Sequence, residues 1–131
     1  MFGVDYSDEA ITEAKQSNSK MISKLFNFED FFNPSFNQTY DSIVMWDVLE
    51  HLEDPVNTLN SLREKLKKNG LLFLSTPDIG SLFSKMTGRY WPFMTPPEHL
   101  SFFSTNSLSE IAKSTGFEVI YNKNTGKSVN L

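Results

Sequence analysis

"YDSIVMWDVLEHLEDP", residues 40–55, decides how this chain folds. Ile43, Val44, Met45 and Trp46 run continuously apolar, as strands covered on both faces of a parallel sheet do. Asp47 closes the run. Asp54 then suits a helix N-cap, and Pro55 suits the first helical position, where its missing N–H costs nothing. Downstream, Val56, Leu59, Leu62 and Leu66 recur on one helical face. Lys65, Lys67 and Lys68 suit the negative carboxyl end, and Gly70 stops the helix. The spacing predicts a strand over 40–47 and a helix over 54–68.

The flanks repeat this alternation. "LLFLSTP" (71–77) reads as a buried strand closed by Pro77. "MFGVD" (1–5) is a short apolar run ending in an acid, and "SDEAITEAKQ" (7–16) reads as a helix. Ser7 caps that helix, Asp8 and Glu9 suit the positive end of its dipole, and Ala10, Ile11 and Ala14 form its apolar stripe. "KLFNF" (24–28) is a further strand. "TNSLSEIAKSTG" (105–116) is a capped helix ending at Gly116, and "FEVIY" (117–121) a final strand. Residues 78–103 break the rhythm, mixing Phe83, Tyr90, Trp91, Phe93, Phe102 and Phe103 with prolines at 92, 96 and 97. Strand–helix alternation of this kind predicts an α/β fold with a doubly wound, mostly parallel sheet.

With 131 residues, one domain spanning 1–131 is expected, large enough to bury a core. A hydrophobic fraction of 39% and 12 phenylalanines argue against disorder. A formal charge of −4 gives no broad pull toward nucleic acid or anionic lipid, so neither is an expected partner. The absence of cysteine removes disulfides, thiolate zinc sites and cysteine nucleophiles together. No apolar run approaches the roughly 20 residues of a membrane helix, and no signal-peptide pattern opens the chain. The expectation is a soluble, cytoplasmic protein.

In open α/β sheets, ligands sit beyond the carboxyl ends of the strands. That rule selects Asp5, residues 27–30, the Asp47–His51 stretch and the loop after Thr76. A carboxylate closing a strand can accept from both vicinal hydroxyls of a ribose. Asp5 serves equally as a turn or capping acid, and Asn27 and Phe28 as ordinary strand-end packing.

These residues, in this order, resemble the class I S-adenosylmethionine-dependent methyltransferases, and within them the small-molecule type that includes the ubiquinone-biosynthesis O-methyltransferases. The resemblance rests on "GVDYSDEAITEAK" (3–15), "YDSIVMWDVLEHLEDP" (40–55), "LREKLKKNGLLFLSTPD" (62–78) and "EHLSFFSTNSLSEIAKSTGFEV" (98–119). It implies a Rossmann-like fold, S-adenosylmethionine as methyl donor and a small-molecule acceptor. By the same resemblance, Asp5 binds the cofactor ribose with Tyr6 beside it, and Asn27 and Phe28 meet the adenine. Asp47 borders the methionine end, and 78–103 is an aromatic-rich substrate cap.

One departure stands out. The family begins with a strand leading into a glycine-rich loop, whereas the six glycines here form no G-x-G cluster. The chain opens inside what would be the second strand, so a fragment or degenerate form of the domain is expected. A missing central strand leaves unpaired edges, from which we expect a homodimer. The alternative to a methyltransferase, impaired or not, is a non-catalytic module that keeps the fold and serves binding or assembly.

Both histidines sit in an echo, Glu50-His51-Leu52 and Glu98-His99-Leu100. Three readings compete. His51 and His99 can be packing and loop residues. They can be acid–base groups with Glu50 as orienting partner, since a neutral imidazole suits removal of the acceptor's proton. Or Asp47, Glu50, His51 and His99 can hold a divalent metal, a pattern similar to that of the family's small-RNA 2′-O-methyltransferases and some quinone-pathway members. The sequence leaves these readings open.

Overall fold

The computed structural model describes residues 2–5, 7–17, 24–33, 35–94 and 98–124. Tyr6 and the prolines at 96 and 97 lie outside the described residues. The chain divides into two compact units, Met1–Gln38 and Thr39–Leu131.

The first unit is a strand–helix–strand unit. Strand β1 (Phe2–Asp5) pairs in parallel with β2 (Lys24–Asn27), in a register running from Phe2 opposite Lys24 to Asp5 opposite Asn27. Helix α1 (Asp8–Ser17) makes the crossover. Ser7 caps it as expected, its hydroxyl accepting from the Ala10 N–H at 3.1 Å. Ile11 is the buried residue of its stripe. Helix α2 (Phe28–Phe32) leaves β2 at once, with Asn27 as N-cap accepting from the Glu29 N–H. Its aromatics hold one another, with Phe28 4.4 Å from Phe32 and Phe31 edge-on to Phe32. The parallel register therefore sets Asp5 and Asn27 side by side at one end of the pair.

The second unit is built on strand β3 (Tyr40–Trp46), helix α3 (Pro55–Glu64) and strand β4 (Leu66–Ser75), with β3 and β4 parallel. Asp54 caps α3 by accepting from the Asn57 N–H at 2.9 Å, and Pro55 opens it. Leu59 and Leu62 are fully buried.

The helix ends earlier than its pattern predicts. Residues 65–68 were expected to be helical, but α3 stops at Glu64 and β4 begins at Leu66. Ladder pairing wins there: the Tyr40 N–H donates to the Lys65 carbonyl at 2.8 Å, and Leu66 lies opposite Tyr40. The register then shifts, so that Ser42 faces Leu71, and the extra residues between form a bulge. Asn69 takes a left-handed φ of 64° in it, which asparagine tolerates better than most residues. At Gly70 a Cβ would lie 3.0 Å from the Lys67 carbonyl oxygen, so the bulge closes only around a glycine. Lys65, now buried behind α3 rather than solvated at a helix end, has its ammonium pushed below its ordinary pKa by desolvation.

Burial also departs from expectation. Met45 is buried, but Val44 and Trp46 on the opposite side of β3 are 65% and 72% exposed, as are Leu71 and Phe73 at about half. The 43–46 run is apolar on both faces, yet only one is covered among the described residues.

After β4, residues 78–103 carry a short helix, α4 (Leu82–Thr87), and a 3-10 turn at Gly88–Tyr90. Asp78 and Phe103 close the segment through an isolated parallel bridge. Helix α5 (Thr105–Ser114) starts from a capping box between Ser104 and Ser107. Gly116, at φ 84°, ends it. The strand expected over 117–121 is absent. Side chains hold that tail instead: Asn122 donates to the Thr105 carbonyl and the Ser109 hydroxyl, and Asn124 donates to Asp78.

The fold is thus a mixed helix–strand structure with parallel strand pairing, a partial Rossmann-like arrangement.

Candidate active site

Strand β3 delivers the site. At its carboxyl end Asp47 adopts a φ of 51°, turning the chain sharply out of the ladder. Its N–H donates to the Ser75 carbonyl at 3.0 Å, and its Oδ1 accepts from the Ser75 hydroxyl at 2.8 Å. The redirected chain forms a 3-10 turn, Leu49–His51, before Leu52 and α3. Leu49 and Leu52 are buried and act as anchors on either side of the polar pair.

Between those anchors, Glu50 is 1% exposed, and neither of its carboxylate oxygens has a hydrogen-bond partner among the described residues. That is expensive. A buried carboxylate ordinarily carries hydrogen bonds, a paired charge or a metal ion.

The second Glu-His-Leu comes to the first. The Leu100 and Ser101 N–H groups both donate to the Glu50 carbonyl, at 2.9 and 3.0 Å. In the other direction, the His51 Nδ1 lies 2.6 Å from the Glu98 carbonyl oxygen. These three bonds stitch the 98–101 loop to the 3-10 turn and bring the two imidazoles to a centroid separation of 4.7 Å. His99 is held in its turn by the Phe93 carbonyl, 2.6 Å from its Nδ1. Phe93 stacks on the His99 ring at 6.5 Å, Phe102 meets it edge-on, and the buried Trp91 packs against both phenylalanines.

A carbonyl oxygen cannot donate, so each Nδ1 must carry a proton, and in the neutral ring the lone pair is then on Nε2. Glu50, His51 and His99 then offer ligand atoms that all lie within 4.8 Å of one another. One carboxylate and two imidazoles, each imidazole oriented by a carbonyl on its far nitrogen, are the donors and supports that divalent-metal sites use. Asp47 is not part of this cluster, being engaged with Ser75. Nor does Glu50 orient an imidazole, as the acid–base reading supposed: backbone carbonyls do that.

Of the expected cofactor residues that are described, Asp5, Asn27 and Phe28 lie in the first unit and Asp47 in the second. Asp5 is exposed at the end of β1, with one oxygen accepting from the Ser7 N–H at 2.9 Å. That is the turn role open to it from sequence, and it uses one oxygen of two. Asn27 caps α2 through its oxygen and donates from Nδ2 to Asp8 at 3.0 Å. Phe28 is half-buried beside Phe32.

A family model described as a methyltransferase domain matches residues 1–122. The chain belongs to the class I S-adenosylmethionine-dependent methyltransferases. Among curated proteins, the chain is similar to the ubiquinone biosynthesis O-methyltransferase of Nitrosospira multiformis, at 26% identity over 127 residues, covering 89% of the chain and 53% of that relative. The enzyme of the same name from Glaesserella parasuis is 30% identical over 81 residues, covering 56% of the chain and 34% of its own length. A mitochondrial one from Schizosaccharomyces pombe is 53% identical over 38 residues, covering 29% of the chain and 14% of that protein. The chain spans about half or less of the length of these relatives. None of its described helices is long and apolar enough to cross a membrane.

Three supports of the site were not legible in the sequence. Ser75 lay inside a run taken as ordinary strand, and the Glu98 and Phe93 carbonyls are backbone groups that every residue carries. The Glu-His-Leu echo was the only signal that the two stretches meet.

Proposed function

We propose that this chain serves S-adenosylmethionine-dependent methyl transfer to the oxygen of a small-molecule acceptor, with Glu50, His51 and His99 holding a divalent cation against which the acceptor is placed. The buried, unpartnered carboxylate of Glu50 carries the reading. A general-base histidine needs no orphan acid behind it, whereas a cation site supplies the partner that both Glu50 oxygens lack. The relatives' names favour oxygen as the acceptor atom.

In this reading Asp5 and Tyr6 meet the cofactor ribose, and Asn27 and Phe28 the adenine. Asp5 has a carboxylate oxygen left for a hydroxyl donor, and the Phe28 ring offers a half-buried apolar surface. A bound cation would supply the positive charge that favours the ionised form of a ligated hydroxyl. The chain's own residues do the rest. Phe93 and Phe102 border the His99 ring, and the carbonyls of Glu98 and Phe93, by accepting from each Nδ1–H, place the lone pair of the neutral rings on Nε2 and fix its direction. Chemistry then depends on holding the acceptor oxygen in line with the methyl group, a positioning effect. The exposure of His51 favours a second reading, in which its Nε2 takes the acceptor proton directly.

Calorimetric titration with manganese or zinc separates the two. The cation reading expects one site per chain, lost in His99→Ala, and methyl transfer to phenolic acceptors that stops in a chelator. Metal binding absent in the wild type, with transfer undiminished in chelator, would overturn it in favour of the His51 base.

A further inference from the structure

Ser75 takes no part in the proposed chemistry, yet it touches the one residue that redirects β3. Asp47 is a non-glycine residue in the left-handed region, at φ 51°, a conformation that costs free energy unless its surroundings hold it. Ser75 holds it three ways. Its carbonyl accepts from the Asp47 N–H at 3.0 Å, its hydroxyl oxygen shares that donor at 3.2 Å, and its O–H donates to Asp47 Oδ1 at 2.8 Å. The first of these continues the β3–β4 ladder and is open to any residue. The other two belong to the hydroxyl.

We infer that Ser75 is a positioning residue: its hydroxyl fixes the turn at Asp47, and so sets where Glu50 and His51 stand relative to His99. The lever is short. Only two residues lie between Asp47 and Glu50, and the side chain of one of them, Leu49, is completely buried, so a change of backbone angle at Asp47 has few places to dissipate. His51 depends on that placement, because its Nδ1–H must reach the Glu98 carbonyl at 2.6 Å for the neutral ring to carry its lone pair on Nε2. His99 takes its tautomer from Phe93 instead, so the two imidazoles respond differently when Ser75 is changed. The inference rests on the cluster being the functional centre, but its first readout does not.

The test is side-chain nitrogen NMR of the imidazoles in the full chain, with zinc titration as the second readout. In the wild type both rings are expected as pure Nδ1–H tautomers. Ser75→Ala should turn His51 into a mixture of tautomers while His99 stays as it was, and should weaken zinc binding roughly 10–100-fold, as loss of an orienting partner does. Ser75→Thr, which keeps the hydroxyl, should restore both. In an Asp47→Gly background the left-handed turn is free of strain and the carboxylate is gone, so adding Ser75→Ala should change neither readout further. Should Ser75→Ala fail to fold, Ser75→Cys keeps the volume, forfeits most of the hydrogen bond, and should give the same mixture. A His51 spectrum identical to wild type, with only a lowered melting temperature, makes Ser75 merely structural and overturns the proposal. Zinc binding absent in the wild type would instead remove the cation reading and leave the tautomer result to decide Ser75.

Discussion

Replacing Glu50 by methionine should make the protein more stable and less able to bind a cation, and the two effects can be read from one set of melting curves. Glu50 is 1% exposed, with both oxygens unpartnered among the described residues. An unsatisfied buried polar group costs about 1–3 kcal/mol. Methionine matches the volume closely and adapts its shape, so less than about 1.5 kcal/mol is lost to imperfect packing. With two unpartnered oxygens the cost is taken at the upper end of that range, so a net gain of about 1–2 kcal/mol is expected. In a unit the size of Thr39–Leu131, each kcal/mol moves the melting temperature by roughly 4–8 °C. Circular dichroism in chelator should therefore show Glu50→Met melting above wild type by roughly 4–16 °C, while Glu50→Gln, which keeps a buried polar group, shows no such rise. Adding manganese at a hundred times its dissociation constant should stabilise the wild type by about 2.7 kcal/mol and leave Glu50→Met almost unmoved. A Glu50→Met variant that melts below wild type in chelator would mean that the carboxylate has a structural partner. The reasoning would then fail.

Two further outcomes follow from other parts of the chain. Asp5→Ala should weaken S-adenosylmethionine binding by about 1.5–3 kcal/mol, the range for hydrogen bonds to a charged group; unchanged affinity by calorimetry would take Asp5 out of the ribose site. At the β4 bulge, the Lys67 ammonium hydrogen-bonds Asp41 at 2.9 Å and holds its carboxyl below the ordinary value of 3.8, so this pair's contribution to stability is complete above that value and disappears as pH falls through the lowered folded one. Carbon-detected titration of Asp41 should show the depressed midpoint in dilute buffer and lose it in high salt, because both side chains are exposed to screening.

Much of the fold was legible because its signals were local. Ser7, Asp54 with Pro55, and Ser104 each cap a helix that forms where the residues say it should. The failures share one cause, competition from elsewhere in the chain. Lys65 through Gly70 read as a helix terminus, and nothing local reveals that Tyr40 offers Leu66 a ladder partner. Residues 117–121 have good strand composition, but a strand needs a neighbour, and the tail is satisfied by asparagine side chains instead. At the site, residue types and their echo were visible while burial was not. That Glu50 would be sealed and His51 exposed depends on Leu49 and Leu52 turning inward around a left-handed Asp47, which no periodicity encodes.

The uneven covering of β3 also gives the molecule two optical reporters of opposite character. Trp46, on the open face of the ladder, is 72% exposed, whereas Trp91, beneath the aromatic group around His99, is 4% exposed. Their emission separates into a red component that aqueous iodide reaches and a blue one that it does not. Anything that comes to lie over Val44, Trp46 and Phe73 registers as a blue shift with loss of iodide access. Loosening of the packing around His99 registers in the opposite sense, as Trp91 becomes wet. One cuvette, without a label, distinguishes an event on the back of the sheet from an event at the imidazoles.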